Sequence, residues 1–440
     1  MTKLPILVLH GWSGVSEHMK SVSDFLKKSK FEVIDIWLAD YISMNDEVTI
    51  KDLGQAMGIA LKRNKISEDP HSFDVIVHST GGLVIRQYLL HYFFGSPQDC
   101  PVRHLVMLAP ANFGSPLAHL GKSMIGRLRS GWNWEHLFQT GTRILDALEL
   151  ASPISWQLAE QDLFNPNNKI LAPQNLFTSV FVGTDTYSGI AASFHENGSD
   201  GTVRVSTANL NARYLKIIFK TSGEPEIIEQ KNCYDPIAFG VLFNHNHSTI
   251  TRPGDDEQLA SLLIKSLSIE SVAEYKEHIV NLNKITNETF ERGLQDQDKK
   301  KRYHQYQHVV TRVHDQFGEG VEDYFLEFYQ QKGDKKDTVM QKVQSEILEK
   351  VRKYSRDGSY RSLLFDINDM KSQILEQSQH VDMSLCAAAL SERISYLNPD
   401  KYLPVASEEN KTLLSPNITL FVDIELPRIQ SEKVFRFKKA

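Results

Sequence analysis

A chain of 440 residues, 41% hydrophobic and 24% charged, has the apolar content for one large core or two ordinary ones, so two domains are expected and a disordered chain is not. The formal net charge of -6 supplies no general field for polyanions, which sets nucleic acid aside as a partner and confines any attraction to lipid to a local patch. Cys100, Cys233 and Cys386 lie far apart, against a disulfide framework or a zinc site and in favour of a reducing compartment, and no apolar run approaches the roughly 20 residues of a membrane-spanning helix.

Residues 4–9 form a short apolar run ending in His-Gly, which reads as a buried strand rather than a signal peptide, so the protein is expected to be soluble or peripherally bound. In the loop behind it, His10-Gly11-Trp12-Ser13-Gly14, Gly11 lets the chain turn, and the backbone N–H of Trp12 is a candidate donor to a developing oxyanion. A helix over 17–28, a strand over 32–37 and a helix over 50–63 follow. Residues 74–77 are mostly apolar and β-branched, as in a strand buried on both faces, and the run stops at His78. Ser79-Thr80-Gly81-Gly82 then leads directly into the helical pattern of Leu83, Val84, Tyr88 and Leu89. A sharp strand-to-helix turn at a serine is a nucleophile elbow: it lifts the hydroxyl clear of the sheet and aims the first amides of the helix, that of Thr80 foremost, at an incoming carbonyl oxygen. The usual pattern is G-x-S-x-G, and Val77 stands here in the first glycine position.

After a helix over 83–94 and a strand over 102–108, the alternation of strands and helices implies a parallel sheet covered on both faces, with catalytic groups at the carboxyl ends of its strands. Residues 112–173 break the alternation with helically spaced apolar residues. They form either a small second core or a cap whose apolar wall meets acyl chains, with Trp132 and Trp134 as candidate substrate contacts. A strand over 176–182 leads to Gly183-Thr184-Asp185. Asp200, in the tight turn Ser199-Asp200-Gly201, is the candidate acid with Asp185 in reserve, although an aspartate at such a turn also caps its own backbone. A further strand over 214–220 precedes Phe243-Asn244-His245-Asn246-His247-Ser248, where His247 is the candidate base and His245 the runner-up. Two histidines this close could begin a metal site, but no further ligands follow at a recognised spacing, and neither metal nor organic cofactor is expected. Serine, acid and histidine in this chain order are those of an α/β-hydrolase. The imidazole takes the serine proton, a buried carboxylate fixes its tautomer, and two amides hold the oxyanion.

The first domain is expected over 1–270, followed by a helical, basic connector over 271–305 and a β-rich domain over 306–440. Within the connector, Lys299-Lys300-Lys301-Arg302-Tyr303-His304 reads as a solvated linker or as a contact for anionic phospholipid. Strands are expected over 307–313, 321–329, 362–367, 383–396 and 418–426, interrupted by one amphipathic helix over 338–354, which makes a mostly antiparallel sandwich without a catalytic constellation. Residues 433–439, alternating basic and apolar, suit an edge strand or a contact with a membrane or another subunit.

Four stretches, VHSTGG at the nucleophile, LAPANFGSPLA over 108–118, SDGTVRVSTA around Asp200 and NHSTI around His247, together with the C-terminal half, resemble the PlaB-type bacterial phospholipases A and lysophospholipases A. The resemblance covers both halves of the chain. It implies a hydrolase domain joined to a C-terminal β-sandwich-like domain, peripheral association with bacterial membranes without a signal peptide, phospholipid and lysophospholipid substrates, and self-association. It carries over to Ser79, Asp200 and His247, and to the backbone at Trp12 and Thr80. A soluble carboxylesterase or thioesterase for short acyl groups, and a scaffold without catalysis, are the alternative readings.

Overall fold

The computed structural model describes residues 4–10, 16–37, 47–118, 142–187, 196–329, 341–376, 381–389, 393–399, 403–406, 413–431 and 434. The chain divides into two compact units, one of residues 1–211 and 232–304 and one of residues 212–231 and 305–440.

The first unit is an α/β-hydrolase sheet. Strands β1 (Ile6–His10), β2 (Val33–Trp37), β3 (Phe73–His78), β4 (Val102–Leu108), β5 (Phe177–Gly183) and, later in the chain, β8 (Ala238–Leu242) lie in the order β2-β1-β3-β4-β5-β8, all parallel. Both faces are covered, and accordingly every residue of β3 and β8 is buried. On one face Ile6, Val8, Ile76, Val106 and Phe181 pack with Val22 and Leu26 of helix α1 (Ser16–Lys28) and with helices further along the chain. Helix α2 (Ile50–Arg63) starts from a capping box, with Thr49 and Asp52 satisfying each other's backbone amides, and α3 (Gly81–Phe93) follows the elbow. The described part of the 112–173 insertion holds α4 (Thr142–Leu148) and α5 (Pro153–Asp162), in which Ile144, Leu145, Leu148 and Trp156 are buried. A short turn of helix, α6 (Val205–Ala208), follows the Asp200 loop.

Two expectations about domain limits change. Strands β6 (Arg213–Phe219) and β7 (Pro225–Asn232) do not join this sheet, although the first was expected to; they belong to the second unit. The expected connector is instead part of the first unit. Helix α7 (Glu257–Ser266) and the long α8 (Val272–Leu294) pack against the sheet, and α8 covers its open edge at β8. An edge strand presents unpaired amides and carbonyls. Here Thr286 Oγ1 accepts from Val241 N, Thr289 Oγ1 donates to Val241 O, and Tyr275 accepts from Ala238 N while donating to Thr178 O, at 3.0, 2.8, 3.0 and 2.6 Å.

In the second unit a six-stranded sheet runs β11-β12-β9-β16-β6-β7, where β9 is Tyr306–His314, β11 Leu348–Tyr354, β12 Asp357–Asp366 and β16 Thr419–Glu425. A three-stranded antiparallel sheet of β10 (Tyr324–Tyr329), β13 (Val381–Ala387) and β15 (Leu403–Ala406) faces it, and a short pair joins β14 (Ile394–Tyr396) to β17 (Arg428–Gln430). Leu215, Ile217, Leu363, Phe365, Val422 and Ile424 of the large sheet share one core with Tyr324, Phe328, Met383 and Leu385 of the small one, which makes a sandwich. Most pairings are antiparallel, but β16 runs parallel to both β9 and β6. Of the helix expected over 338–354, residues 338–340 lie outside the described residues, 341–347 are helical and end in a π-helical turn, Val343–Ile347, and from Leu348 onward the backbone is β11 paired with β12, where Val351 is 50% exposed. The single strand expected over 383–396 is two, β13 and β14, in different sheets.

Candidate active site

Ser79, Asp200 and His247 lie beyond the carboxyl ends of β3, β5 and β8, and β3, β4 and β8 are each followed within two residues by a non-glycine residue in the left-handed region: Ser79 at φ 55°, Ala109 at φ 42° and Asn244 at φ 59°. Such conformations cost on the order of 1–2 kcal/mol each and persist only where the surroundings impose them. At Ser79 the surroundings are visible: its N–H donates to Leu108 O at 3.2 Å and its carbonyl accepts from Gly82 N and Ala111 N, both at 3.1 Å. Gly82 is required here, because a Cβ would stand 2.7 Å from Pro110 Cβ and 3.0 Å from Asn112 Oδ1. The elbow therefore holds without a glycine at Val77, whose side chain is buried under Gly81.

His247 Nε2 lies 3.0 Å from Ser79 Oγ, and His247 Nδ1 lies 2.9 Å from Asp200 Oδ2. Asp200 is fully buried; its Oδ1 accepts from Thr202 N at 2.9 Å and Val203 N at 2.7 Å, so with Oδ2 on His247 both side-chain oxygens have partners. A carboxylate facing Nδ1 requires the proton there, which leaves the Nε2 lone pair for the serine hydroxyl. The loop carrying Asp200 is itself closed by a bridge between Ser199 and Arg204 and by the buried pair of Arg204 Nε with Glu196 Oε2 at 2.7 Å.

The reserve residues lie elsewhere in the unit. Asp185 Oδ1 accepts from its neighbour Thr186 N and sits 3.7 Å from Arg302 Nη1. The His245 ring faces Asp256 at 3.6 Å, and burial lowers its pKa below the ordinary histidine value. Its carbonyl accepts from Asp185 N, and it passes so close to Gly183 that a Cβ there would meet it at 1.9 Å. Thr80 is at the start of α3, and its N–H donates to no acceptor among the described residues. Trp12, Trp132 and Trp134 lie outside the described residues.

Two further groups stand against the site: His78, for which the sequence suggests no role, and the basic turn that was expected as a solvated linker or a lipid contact. His78 touches His247, as developed below. The basic turn Lys300–Tyr303 is docked on the loop of the base: Tyr303 stacks on Phe243 with ring centroids 5.4 Å apart, Arg292 lies 4.0 Å over the same ring, and Lys300 and Lys301 remain exposed. Phe243 and Tyr303 are 60 positions apart in sequence, so only the fold reveals the contact.

No family model matches this sequence, and no curated protein matches it. Among solved structures, the phospholipase PlaB from Legionella pneumophila matches over 99% of this chain and 96% of its own, at 26% identity and a TM-score of 0.81; the same phospholipase in complex with thio-NAD matches over the same shares at 25% and 0.80. The chain has a PlaB-type fold. A lipase of Bacillus licheniformis, BlEst2 in its mature form, matches over 61% of this chain and 93% of its own at 16% identity, with a TM-score of 0.40. The PlaB-type match spans both units, and with it the chain is an ester hydrolase by architecture. No helix among the described residues is long and apolar enough to cross a membrane.

Proposed function

We propose that this PlaB-type chain is a serine hydrolase that deacylates glycerophospholipids and lysophospholipids through an acyl-serine intermediate. The observation that carries the reading is the line of hydrogen bonds from Ser79 through His247 to Asp200, at 3.0 and 2.9 Å, in one strand-end cluster. Ser79 Oγ attacks the ester carbonyl as its proton passes to His247 Nε2, and the imidazolium so formed is stabilised by Asp200. The tetrahedral oxyanion is met by Thr80 N–H and, in this reading, Trp12 N–H, each worth on the order of 3 kcal/mol. Collapse breaks the ester C–O bond, and the glycerol oxygen leaves with the proton from His247. A water then enters by the same route in reverse and releases the fatty acid. Trp132 and Trp134 are proposed as acyl-chain contacts, and the exposed lysines of the turn docked on the base loop as a local contact for an anionic membrane surface.

Phospholipid labelled differently in its two acyl chains, presented in vesicles to the wild type and to Ser79→Ala, tests this. Release of labelled fatty acid by the wild type alone is expected. Activity confined to short water-soluble esters would replace the substrate with that of a carboxylesterase or thioesterase, and failure of a fluorophosphonate to label Ser79 would remove the serine mechanism altogether.

A further inference from the structure

His78, the residue immediately before the nucleophile, is 9% exposed and ends β3. Its Nε2 lies 3.0 Å from the backbone oxygen of His247, and its ring rests against the His247 ring with centroids 4.5 Å apart and planes tilted by 45°. A carbonyl oxygen only accepts, so the proton of this bond sits on His78 Nε2. The main chain of His247 is held from its other side as well: its N–H donates to Asp200 O at 3.0 Å. The backbone of one residue is thus tied at its N–H to the loop of the acid and at its C=O to the strand end of the nucleophile.

This matters because the rest of the His247 loop has little regular structure. After β8 the chain turns through Asn244 at φ 59°, and the next element is a single 3-10 turn, Thr249–Thr251. Below the ring, the His247 imidazole has to keep Nδ1 on Asp200 and Nε2 on Ser79 at once, and a displacement of about 1 Å at a reacting centre costs as much as about 100-fold in rate.

We propose that His78 is a positioning residue for the candidate base, fixing the His247 backbone through its Nε2–H and seating the His247 ring against its own. The proposal rests on the reading of Ser79 and His247 as nucleophile and base. His78 itself exchanges no proton with substrate. A histidine meets both demands at this position: it reaches the carbonyl as a donor and offers a flat ring face against which the His247 ring rests.

Two substitutions separate donor from bulk. His78→Leu fills space but cannot donate; the side-chain amide of His78→Gln reaches to about the place of Nε2 and can. With a soluble ester, His78→Leu is expected to lower kcat by about 10- to 100-fold with KM within about threefold, since the lost interaction orients catalytic groups and does not bind substrate. The rate at which a fluorophosphonate labels Ser79 should fall in parallel. His78→Gln should recover a large part of both losses. A His78→Leu enzyme with wild-type kcat would overturn the proposal, and so would equal losses in the Gln and Leu variants, whether or not Leu also lowers the melting temperature. Ser79→Ala, run alongside, keeps the outcomes apart: if it retains activity the triad reading fails, whereas if it is inactive and His78→Leu is not, only the inference about His78 falls.

Discussion

At the scale of single residues, the proposed serine, acid and base would act as one device, so removing either end of the proton path should cost nearly the whole effect. Ser79→Ala and His247→Ala are each expected to lower kcat on a soluble ester by about 1,000-fold or more. His245→Ala should leave the same rate within a few-fold, because the His245 ring faces Asp256 and not Ser79; the reverse pattern would exchange the two histidines. Asp200→Asn should be damaging but leave residual activity. Its side chain would still meet the amides of Thr202 and Val203, but it could then turn only an N–H toward His247, and the wrong imidazole tautomer results. The elbow at Ser79 and the tight turn at Asp200 were legible in the sequence because each is written in adjacent residues. The choice between His245 and His247 was less so, since both sit in one loop two positions apart. What separates them is the bond from His247 N to Asp200 O, which depends on the approach of a loop 47 residues earlier.

Elements show the same division between local and distant information. Helix 50–63 and strand 102–108 were legible to the residue, as their periodicity and caps lie within the segment. Residues 338–354 carry Val339, Val343, Ile347, Leu348 and Val351 at a helical spacing, yet from Leu348 on they pair with β12, and nothing in the segment announces a partner strand. Strand β6 did carry a signal. Lys216 and the half-buried Ile218 alternate with the fully buried Leu215, Ile217 and Phe219, which is closer to the pattern of a sandwich strand with one core face than to that of a central parallel strand. The role of α8 lends itself to test. Gly293, near its end, lies under the ring of Tyr303, where a Cβ would come within 1.9 Å of Tyr303 Cγ. Gly293→Ala must push Tyr303 off Phe243, so a loss of about 1–3 kcal/mol in a urea titration is expected, together with reduced turnover because Phe243 begins the base loop. Unchanged stability would mean that the stack is dispensable. The same helix carries His278, held between Ser179 and Ser266, whose pKa is pushed down to about 4 by burial. In the unfolded chain it takes up a proton below about pH 6.5, whereas the folded protein resists until about pH 4, so stability attributable to this residue falls as pH drops across that window. His278→Gln should flatten the fall in unfolding free energy between pH 7 and 5; an unaltered slope would place the sensitivity elsewhere.

On the scale of the whole molecule, charge and chain connectivity make separate predictions. A net charge of -6 opposes approach to an anionic bilayer, but beyond about 8 Å at physiological salt that charge is largely screened, so lysines at the contact can dominate. Reversing Lys299, Lys300 and Lys301 to glutamate should therefore lower vesicle binding and phospholipid hydrolysis, more so at low salt, while hydrolysis of a soluble ester stays within a few-fold. Equal loss on both substrates would assign the turn a purely structural role beneath the base loop. Connectivity is where the sequence was least legible, because β6 pairs in parallel with β16, some 200 residues later, and no local feature records so distant a partner. A cut after residue 304, which the domain order in sequence invites, would strand β6 and β7 without β16 and expose Leu215, Ile217 and Phe219, all now buried. That fragment should aggregate through its open apolar strand. The excursion, however, leaves and returns at one place: Asn211 donates to Ile237 O at 2.8 Å, accepts from Ile237 N at 2.9 Å and has Cys233 Sγ at 3.6 Å from its Oδ1. Replacing residues 212–231 by a short Gly-Ser linker costs little closure entropy when the ends already meet. In a fragment of residues 1–304 with this replacement, the whole sheet order β2-β1-β3-β4-β5-β8 and the line from Ser79 to Asp200 are retained. It should run as a single species in size-exclusion chromatography and hydrolyse a soluble ester, while the fragment without the replacement should not. A linker fragment that is folded by circular dichroism yet inactive on that ester would mean that the second unit supplies something the chemistry needs, and the assignment of all reacting groups to the first unit would have to be given up.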